Sequence, residues 1–270
     1  MKLDGKVALM AGCSPNINAG IALELAAAGA KLVCVDVEPT YAKACASAIE
    51  RAGGAALAVE ADVTNEEQVL GALRRAEETF GGLDVLVNGA VVQYRFGLLE
   101  MAVERFRRQI DVILTGTFVF TKHAAAQMIR LSRRGSIINI ISTEGHQGNL
   151  GNIGYGTAKS GLLNFTRAAA MELAGHGIRV NSLTPTATDS TEGKRRTQEW
   201  GLVWDEPSLG RRPEFTAGDQ GVPLRHRPRP SDYGKAAVFL ASDDAAMITG
   251  IDLRVDGGTI AKYWRWNPGA

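Results

Sequence analysis

The chain has little cysteine, almost no net charge and no long apolar run, and each shortage excludes a class of protein. Its three cysteines, Cys13, Cys34 and Cys45, form no disulfide framework and fit a reducing compartment, and no metal site is predicted. A net charge of +1 gives no general attraction to nucleic acid or to a membrane surface. No segment is apolar enough to span a bilayer, and the N-terminus lacks a signal-peptide pattern. We therefore expect a cytoplasmic protein with no nucleic-acid or membrane partner.

Short apolar runs alternate with longer amphipathic segments along most of the chain. Val-, Ile- and Leu-rich runs without polar alternation are typical of strands buried on both faces of a sheet. Their alternation with helices indicates βαβ units. The predicted fold is α/β, a Rossmann-type doubly wound parallel sheet, in a single domain over residues 1–270. Strand-like runs lie at 6–11, 31–36, 55–62, 83–88, 135–142, 178–185 and 251–258, and helix-like segments at 19–30, 40–52, 65–80, about 100–131, 154–175 and 231–242.

Residues 186–230 interrupt this rhythm with prolines, arginines and two tryptophans. A long insertion of this kind is usually a lid or a binding loop, so we interpret it as a substrate-binding lid. Its basic clusters are either solvated loop residues or a site for an anionic substrate group. Ligands of doubly wound sheets lie beyond the carboxyl ends of the strands. Functional residues should therefore follow positions 11, 36, 62, 88, 142 and 185.

The turn after the first strand, AGCSPNINAG at 11–20, lacks most of the glycines of a dinucleotide-binding loop. A pyrophosphate at a helix N-terminus requires a sharp turn, for which glycine is suited because it tolerates positive φ. Gly12 is kept, and Asn16 and Asn18 take the places of the other two glycines. Asparagine is the next most tolerant residue. The pattern predicts a cofactor loop that includes Ser14 and Ile17, although a plain strand–helix turn would look similar.

Polar residues after the next strands favour a dinucleotide. Asp36 ends the second strand, where a carboxylate would hydrogen-bond the adenosine ribose and repel a 2′-phosphate, so NAD is expected rather than NADP. The alternative is a carboxylate that only ends a strand in a turn. Asp62 and Val63 are expected at the adenine edge, and Asn88 with Gly89 at the cofactor wall.

Ser142, Tyr155 and Lys159 are the strongest chemical signal in the sequence. Tyr155 and Lys159 lie four residues apart on a predicted helix and share a face, and Ser142 ends the preceding strand. An ammonium about 4 Å from a phenol, at an effective dielectric of about 20, favours the phenolate by up to ~4 kcal/mol, or ~3 pK units. Tyr155 should then act as a general acid/base near neutral pH. The alternative is a surface i,i+4 pair.

Together these stretches resemble the classical short-chain dehydrogenase/reductase (SDR) family over nearly the whole chain. The resemblance rests on AGCSPNIN, ADV (61–63), VNGA (87–90), GSIINIIS, YGTAK, IRVNSLTPTATDS and ITGIDLRVDGG. It implies that Tyr155 is the catalytic acid/base, that Lys159 also holds the nicotinamide ribose, and that Ser142 orients the substrate oxygen. It also implies a homotetramer, paired through the helices near 100–131 and 154–175 and the C-terminal strand. The segment from Pro185 to Ser190, which includes Thr186, would pass along the nicotinamide, with Thr188 near the carboxamide and Ser190 near the phosphates.

The chain departs from the family pattern at several positions, of which Ile113 matters most. Asn16 and Asn18 replace loop glycines, and Thr186 stands where a glycine usually follows Pro185. Ile113 stands where the family usually has an asparagine that supports a water-mediated proton path from the lysine. The backbone carbonyl at that position can still hold a water. We hypothesise an active enzyme with a modified proton relay.

The expected function is NAD-dependent interconversion of a secondary alcohol and a ketone. The polar residues expected around the pocket favour a hydroxylated or anionic ring compound over a lipid, and an arginine could pair a carboxylate. His146 is either a substrate contact or a satisfied loop histidine, and the two tryptophans either touch substrate or pack the lid onto the body. Alternatives are a non-catalytic dinucleotide sensor, or enoyl reduction or epimerisation. The expected substrate residues are Gln93, Arg95, Glu144, His146, Asn152, Trp200 and Trp204.

Overall fold

Seven parallel strands form one sheet in the order β3-β2-β1-β4-β5-β6-β7. The computed structural model describes residues 1–204 and 221–262, so part of the predicted lid and the tail beyond residue 262 lie outside the described residues. The strand order confirms the prediction of a doubly wound Rossmann-type α/β fold. The strands are β1 (Val7–Ala11), β2 (Lys31–Asp36), β3 (Ala56–Glu60), β4 (Val85–Asn88), β5 (Ser136–Ile140), β6 (Arg179–Pro185) and β7 (Asp252–Val255).

Helices cover both faces of the sheet, and local sequence sets their ends. In α3, the Asn65 side chain accepts a hydrogen bond from the backbone of Gln68, and the helix ends at Gly81 with φ +83°, a conformation that suits glycine. None of the helices in the described ranges is long and apolar enough to cross a bilayer. The helices are α1 (Ile17–Ala27), α2 (Pro39–Arg51), α3 (Glu66–Phe80), α4 (Val103–Ile110), α5 (Gly116–Arg130), α6 (Ile153–Leu173), α7 (Thr191–Glu199) and α8 (Pro230–Ala241).

The core consists of two apolar layers, one on each face of the sheet. All five residues of β1 are buried, and they alternate between the layers because successive strand side chains point to opposite faces. Leu25 of α1 and Tyr233 of α8 lie in one layer, and Leu73 of α3 and Phe120 of α5 lie in the other. The strand order reverses between β1 and β4, which opens a crevice for a ligand at the carboxyl edge.

The helix predicted over about 100–131 is interrupted in its middle. A π-helical turn, Asp111–Thr115, joins α4 to α5, and such turns are frequent at functional sites. It carries Ile113, whose side chain is 1% exposed and packs in a small cluster with Ile141, Leu162 and the partly buried Tyr155. No proline marks the interruption, so the apolar periodicity alone predicted one continuous helix.

Candidate active site

Ser142, Tyr155 and Lys159 come together at the carboxyl edge of β5. Ser142 follows this strand and caps a short 3₁₀ turn, where its Oγ accepts a hydrogen bond from the backbone of Glu144 at 3.2 Å. Tyr155 and Lys159 lie in the first two turns of α6. Lys159 is 2% exposed, its Nζ donates to the Ile140 carbonyl at 2.5 Å, and it lies 5.7 Å from the centroid of the Tyr155 ring. The surface-pair interpretation is therefore wrong, because the lysine is inside the protein.

Burial shifts the pKa values of Tyr155 and Lys159 in the directions that favour the neutral form of each side chain. Desolvation raises the pKa of Tyr155 to about 12; hydrogen bonding with Ser142 opposes this, the Glu144 carboxylate adds to it, and Arg95 opposes it. Desolvation lowers the pKa of Lys159 to about 7. The prediction that the ammonium brings the phenol toward neutral pH is thus wrong, because desolvation outweighs the groups that lower the pKa of Tyr155. The apolar surroundings of Tyr155 disfavour the phenolate more than its polar neighbours favour it.

The Asn18 side chain helps to fix the conformation of the loop between β1 and α1. The Asn18 side chain is 6% exposed and donates from Nδ2 to the carbonyl of Gly89 at 2.9 Å. It therefore points into the protein, away from the space beside the helix N-terminus, and ties α1 to the end of β4. Gly12 has φ +90°, and a Cβ there would lie 3.0 Å from the backbone of Ala90. The glycine is required at this position, whereas the asparagine substitutes for a glycine by turning inward.

Asn16 lies between this loop and α7, the described helix of the predicted lid. Its Nδ2 donates to Ser190 Oγ at 3.4 Å, and a Cβ on Gly193 of α7 would lie 2.7 Å from its Oδ1. The buried Arg196 donates to the Pro15 carbonyl at 3.1 Å and pairs with Glu192 at 3.1 Å. Ser190 thus lies against the loop after β1, and α7 holds that loop in place.

Asp36 faces the same loop. Its Oδ2 accepts from the Cys13 amide at 2.6 Å and its Oδ1 from the Glu38 amide at 2.9 Å, and desolvation raises its pKa above the usual value. Each carboxylate oxygen keeps a second acceptor site for a ribose hydroxyl.

Two further predicted cofactor residues have partners within the protein. Asp62 accepts from Thr64 Oγ1 at 2.7 Å and pairs with Arg108 at 3.2 Å. Asn88 donates to Asn139 Oδ1 at 2.9 Å, and its own buried Oδ1 has no protein partner within the described ranges. Val63 is buried, and Gly89 contacts Asn18.

The residues around the loop fit a dinucleotide. The first-turn amides of α1, at Ile17 and Asn18, have no intrahelical acceptors and suit a phosphate, and Ser14 lies in the turn before them. The buried Oδ1 of Asn16 has no protein partner in the described part of the chain. Beyond β6, Thr188 Oγ1 lies 3.1 Å from the Tyr233 hydroxyl, and Thr186 Oγ1 lies 3.5 Å from that of Thr143. The turn after Pro185 is therefore fixed on one side of the crevice.

The predicted substrate residues fall into two groups. Arg95 and Glu144 both act electrostatically on Tyr155, and the buried Nε of Arg95 has no hydrogen-bond partner among the described residues. Asn152, which is 2% exposed, donates to Glu144, and Gln93 is partly buried in the segment before Arg95. These residues belong to the surroundings of the phenol.

The other predicted substrate residues contact the protein itself. His146 Nε2 lies 3.3 Å from Thr184 Oγ1 and 3.1 Å from Asp252 Oδ2, which matches the satisfied loop histidine of the alternative interpretation. Trp200 packs against the apolar layer that contains Leu25. Trp204 lies beside α7, with the Lys194 ammonium 5.9 Å from its ring centroid. For Trp200, packing of the lid onto the body accounts for the contacts.

Two features were missed from the sequence, and both are long-range. Arg196, read as part of a basic cluster, reaches the cofactor loop 181 residues earlier in the chain. Tyr233 supports Thr188 from α8 and donates to the Thr186 carbonyl at 3.3 Å. No local spacing connects either residue with the loop it supports.

The fold and the serine–tyrosine–lysine set define a nucleotide-dependent oxidoreductase. A family model described as enoyl-(acyl carrier protein) reductase matches residues 12–259. The chain is 37% identical over 262 residues to a 3-oxoacyl-[acyl-carrier-protein] reductase of Synechocystis sp., covering 96% of this chain and 98% of that one. It is 37% identical over 257 residues to the cis-4-hydroxycyclohexanecarboxylate dehydrogenase of Sinomonas cyclohexanicum, covering 95% and 97%. A crystal structure of a short-chain type dehydrogenase/reductase from Mycobacterium marinum superposes with a TM-score of 0.83 at 31% identity, covering 96% and 97%.

The chain belongs to the short-chain dehydrogenase/reductase family. The predicted family is thereby confirmed. Its members are oxidoreductases that act on alcohols and ketones with a nicotinamide dinucleotide.

Proposed function

We propose that the protein is an NAD-dependent dehydrogenase that interconverts a secondary alcohol and a ketone, with Tyr155 as the acid/base. The observation that carries the proposal is the burial of Lys159 beside Tyr155 and Ser142, next to a loop shaped for a dinucleotide. An ionisable side chain is rarely buried this deeply unless it has a functional role. A protein that only senses a dinucleotide has no need of this set.

Ser142, Tyr155 and Lys159 each have a distinct role in the proposed reaction. The bound nicotinamide supplies the hydride acceptor or donor. Ser142 donates a hydrogen bond to the substrate oxygen and orients it. Tyr155 donates its phenolic proton to that oxygen during ketone reduction and removes the proton during alcohol oxidation. Lys159 holds the ribose hydroxyls and, when protonated, favours the phenolate.

A cationic group beside the phenol supports an anionic or hydroxylated ring as substrate. The unpartnered Nε of Arg95 offers a donor for a carboxylate, and Glu144 and Asn152 offer acceptors for hydroxyl groups. The name of the relative from Sinomonas cyclohexanicum, a hydroxycyclohexanecarboxylate dehydrogenase, agrees with this chemistry. Gln93 would line the same side of the pocket, and Trp204 its lid.

A panel of secondary alcohols tests the function directly. NADH formation is followed with cyclic diols, cyclic hydroxy acids and their uncharged analogues, and NAD binding is measured in parallel. Turnover of a cyclic hydroxy acid or diol is the expected result. Tight NAD binding without turnover of any alcohol would instead favour the sensor. Because the matching family model is described as an enoyl reductase, an enoyl thioester belongs in the panel, and its reduction without alcohol turnover would replace the proposal.

Asp36 should make the enzyme prefer NAD to NADP. A carboxylate and a 2′-phosphate charge about 5 Å apart, at an effective dielectric of about 20, repel by roughly 3 kcal/mol, or about 10²-fold in affinity. Asp36→Asn removes the charge and keeps an acceptor for the Cys13 amide. We expect it to narrow the ratio of the two Kd values by roughly 10- to 100-fold, measured by titration calorimetry. Glu60→Gln, on the neighbouring strand, should leave the ratio unchanged, and an equal effect of both variants would refute the assignment.

Substitution of Ile113 tests the modified proton relay. The Ile113 carbonyl accepts from Thr117 Oγ1 at 2.7 Å. Ile113→Asn adds a polar group beside the tyrosine. One added hydrogen bond of about 0.5–1.5 kcal/mol should shift the pH–rate profile by roughly 0.4–1 unit. Ile113→Val is the control and should leave the profile in place. An unchanged profile for Ile113→Asn would count against a relay through this position.

We further propose a cytoplasmic homotetramer. Large apolar side chains are exposed on the helices that the resemblance assigns to subunit contacts, including Phe118 of α5 at 50% and Met171 of α6 at 66%. Apolar surface of this kind is a sign of a covered interface. Light scattering in solution should give four times the chain mass of 28.8 kDa, whereas a monomer would refute the assembly.

A further inference from the structure

The three cysteines of the chain form one cluster beneath the cofactor loop. Cys13 lies in the turn after β1, Cys34 in β2 and Cys45 in α2, and all three side chains are fully buried. Their sulfur atoms lie within 4.8 Å of one another. The residues are 21 and 11 positions apart, a spacing that no short metal-binding motif uses, so the sequence predicted no site. We call this group the three-thiol cluster.

The surroundings of the three-thiol cluster are apolar. The cysteines belong to the core layer that also contains Leu25 and Ile49, and Cys13 Sγ lies 3.6 and 3.5 Å from the carbonyls of Met10 and Val35. Within the described residues, no fourth cysteine, histidine or carboxylate joins the group. The ligand set is therefore three sulfurs in a buried, apolar site.

The number of ligands and the need for neutrality decide which ion fits. Three sulfurs bound at about 2.3 Å from one ion lie roughly 3.5 Å apart in a pyramidal arrangement and roughly 4 Å apart in a planar one, so sulfurs within 4.8 Å of one another have to approach by up to ~1.3 Å. Sulfur ligands select thiophilic ions. Zinc prefers a fourth ligand, and a divalent or monovalent ion on three thiolates leaves one or two negative charges in an apolar core, which is costly. A trivalent ion on three thiolates is neutral.

Among the described residues, the cation that acts on the cluster is already paired. Arg196 is the cation that acts on Cys45, and its guanidinium is already paired with Glu192 at 3.1 Å. On the other side, Glu50 acts on Cys34 and adds negative charge. Arg196 and Glu50 thus oppose each other and offer an anionic complex little net stabilisation, whereas a neutral complex needs none.

We infer that the three-thiol cluster of Cys13, Cys34 and Cys45 is a binding site for one trivalent thiophilic ion, such as arsenic(III). Arsenous acid reacts with three thiols to give one As(S-Cys)₃ unit and three waters. Three S–H and three As–O bonds break, and three As–S and three O–H bonds form. The oxidation state of arsenic and sulfur does not change, so no oxidant or reductant is needed. The site is independent of the proposed dehydrogenase activity.

Native mass spectrometry of the full chain, titrated with sodium arsenite in a thiol-free phosphine reductant, tests the site. The expected result is one arsenic per chain with the loss of three hydrogens, accompanied by a rise in Tm because the ligand binds the folded state. The chain holds three cysteines in all, so an adduct that has lost three hydrogens to sulfur must use the cluster. Absence of an adduct on the folded chain, or a fall in Tm, would overturn the inference.

Single cysteine variants show whether all three sulfurs are ligands. Cys13→Ser, Cys34→Ser and Cys45→Ser should each weaken arsenite binding by more than the roughly tenfold that loss of an outer-sphere partner costs a metal site. Cys45→Ala, with circular dichroism as the check on folding, replaces any serine variant that fails to fold, because it buries no new hydroxyl. Undiminished binding in a folded variant would overturn the three-sulfur site. Zinc and cadmium are titrated in the same way, and binding of either more tightly than arsenite would refute the charge argument.

Discussion

Replacing Tyr155 with phenylalanine should lower kcat for alcohol oxidation by about 10²–10⁴-fold, the usual contribution of a positioned acid/base, and leave NAD affinity unchanged. Phenylalanine keeps the ring that packs beside Ile113 and Leu162, so the loss reports the hydroxyl alone. Initial rates with the best substrate of the alcohol panel give kcat, and calorimetry gives the affinity for NAD.

Tyr233→Phe is the matched control, since desolvation also raises the pKa of this buried tyrosine to about 12. Its hydroxyl bonds Thr188 and the Thr186 carbonyl, so it supports the cofactor side of the crevice without touching the reacting atoms. We expect this variant to raise KM for NAD with little change in kcat. An alcohol turned over equally well by wild type and Tyr155→Phe would remove Tyr155 from its role.

The raised pKa of Tyr155 also gives the two directions of the reaction different pH dependences. Ketone reduction needs the phenol, which is the dominant form below a pKa of about 12, so ionisation of Tyr155 itself should not change the rate between about pH 6 and 9. Alcohol oxidation needs the phenolate, so its kcat/KM should rise about tenfold per pH unit until it levels off. The pH of that plateau measures how far the bound cofactor lowers the phenol pKa. A flat oxidation profile would contradict a phenolate base.

The sheet was predictable from the sequence because each strand carries its own signal. Strands buried on both faces are continuous apolar runs, and β2 begins and ends where the run does, at Lys31 and Asp36. The crossover rules for βαβ units predict a parallel sheet with right-handed connections, whereas the strand order comes from the structure. The π-helical turn at Asp111–Thr115 was not predictable, because it preserves an apolar pattern close to that of a continuous helix.

The site was predictable where its parts are close in sequence and not where they meet through the fold. Tyr155 and Lys159 share one helix, so their spacing carried the information. The direction of the Asn18 side chain depends on Gly89, 71 residues away, and no local pattern could distinguish an asparagine that fills the loop from one that turns inward. The prediction of the Tyr155 pKa was wrong for the same reason, because desolvation depends on all the residues that pack around the ring.

Lys159→Met should abolish most of the activity and stabilise the protein. Loss of one positioned charge at a reacting group costs about 10²–10³-fold in kcat. The buried ammonium also carries an energetic cost, because burial lowers its pKa from 10.5 to about 7, and each unit corresponds to about 1.36 kcal/mol. Methionine has a similar volume and no charge. After loss of the hydrogen bond to the Ile140 carbonyl, we expect a net gain of roughly 2–4 kcal/mol in the free energy of unfolding at pH 7.

The way in which the stability gain of Lys159→Met changes with pH distinguishes removal of a buried charge from simple repacking. Between pH 7 and 10.5 the unfolded chain binds the proton that the folded chain has lost, so wild-type stability rises with pH across this window. The advantage of Lys159→Met should therefore be greatest at pH 7 and below, and shrink by about half at pH 9. Urea unfolding without cofactor measures it, since a bound ligand would add its own stabilisation. Lys235→Met, at a lysine whose side chain is 68% exposed, should stay within about 0.5 kcal/mol of wild type. A Lys159→Met protein less stable than wild type at pH 7 would mean that the ammonium is well solvated. Lys159 would then be charged beside a neutral Tyr155 phenol at this pH.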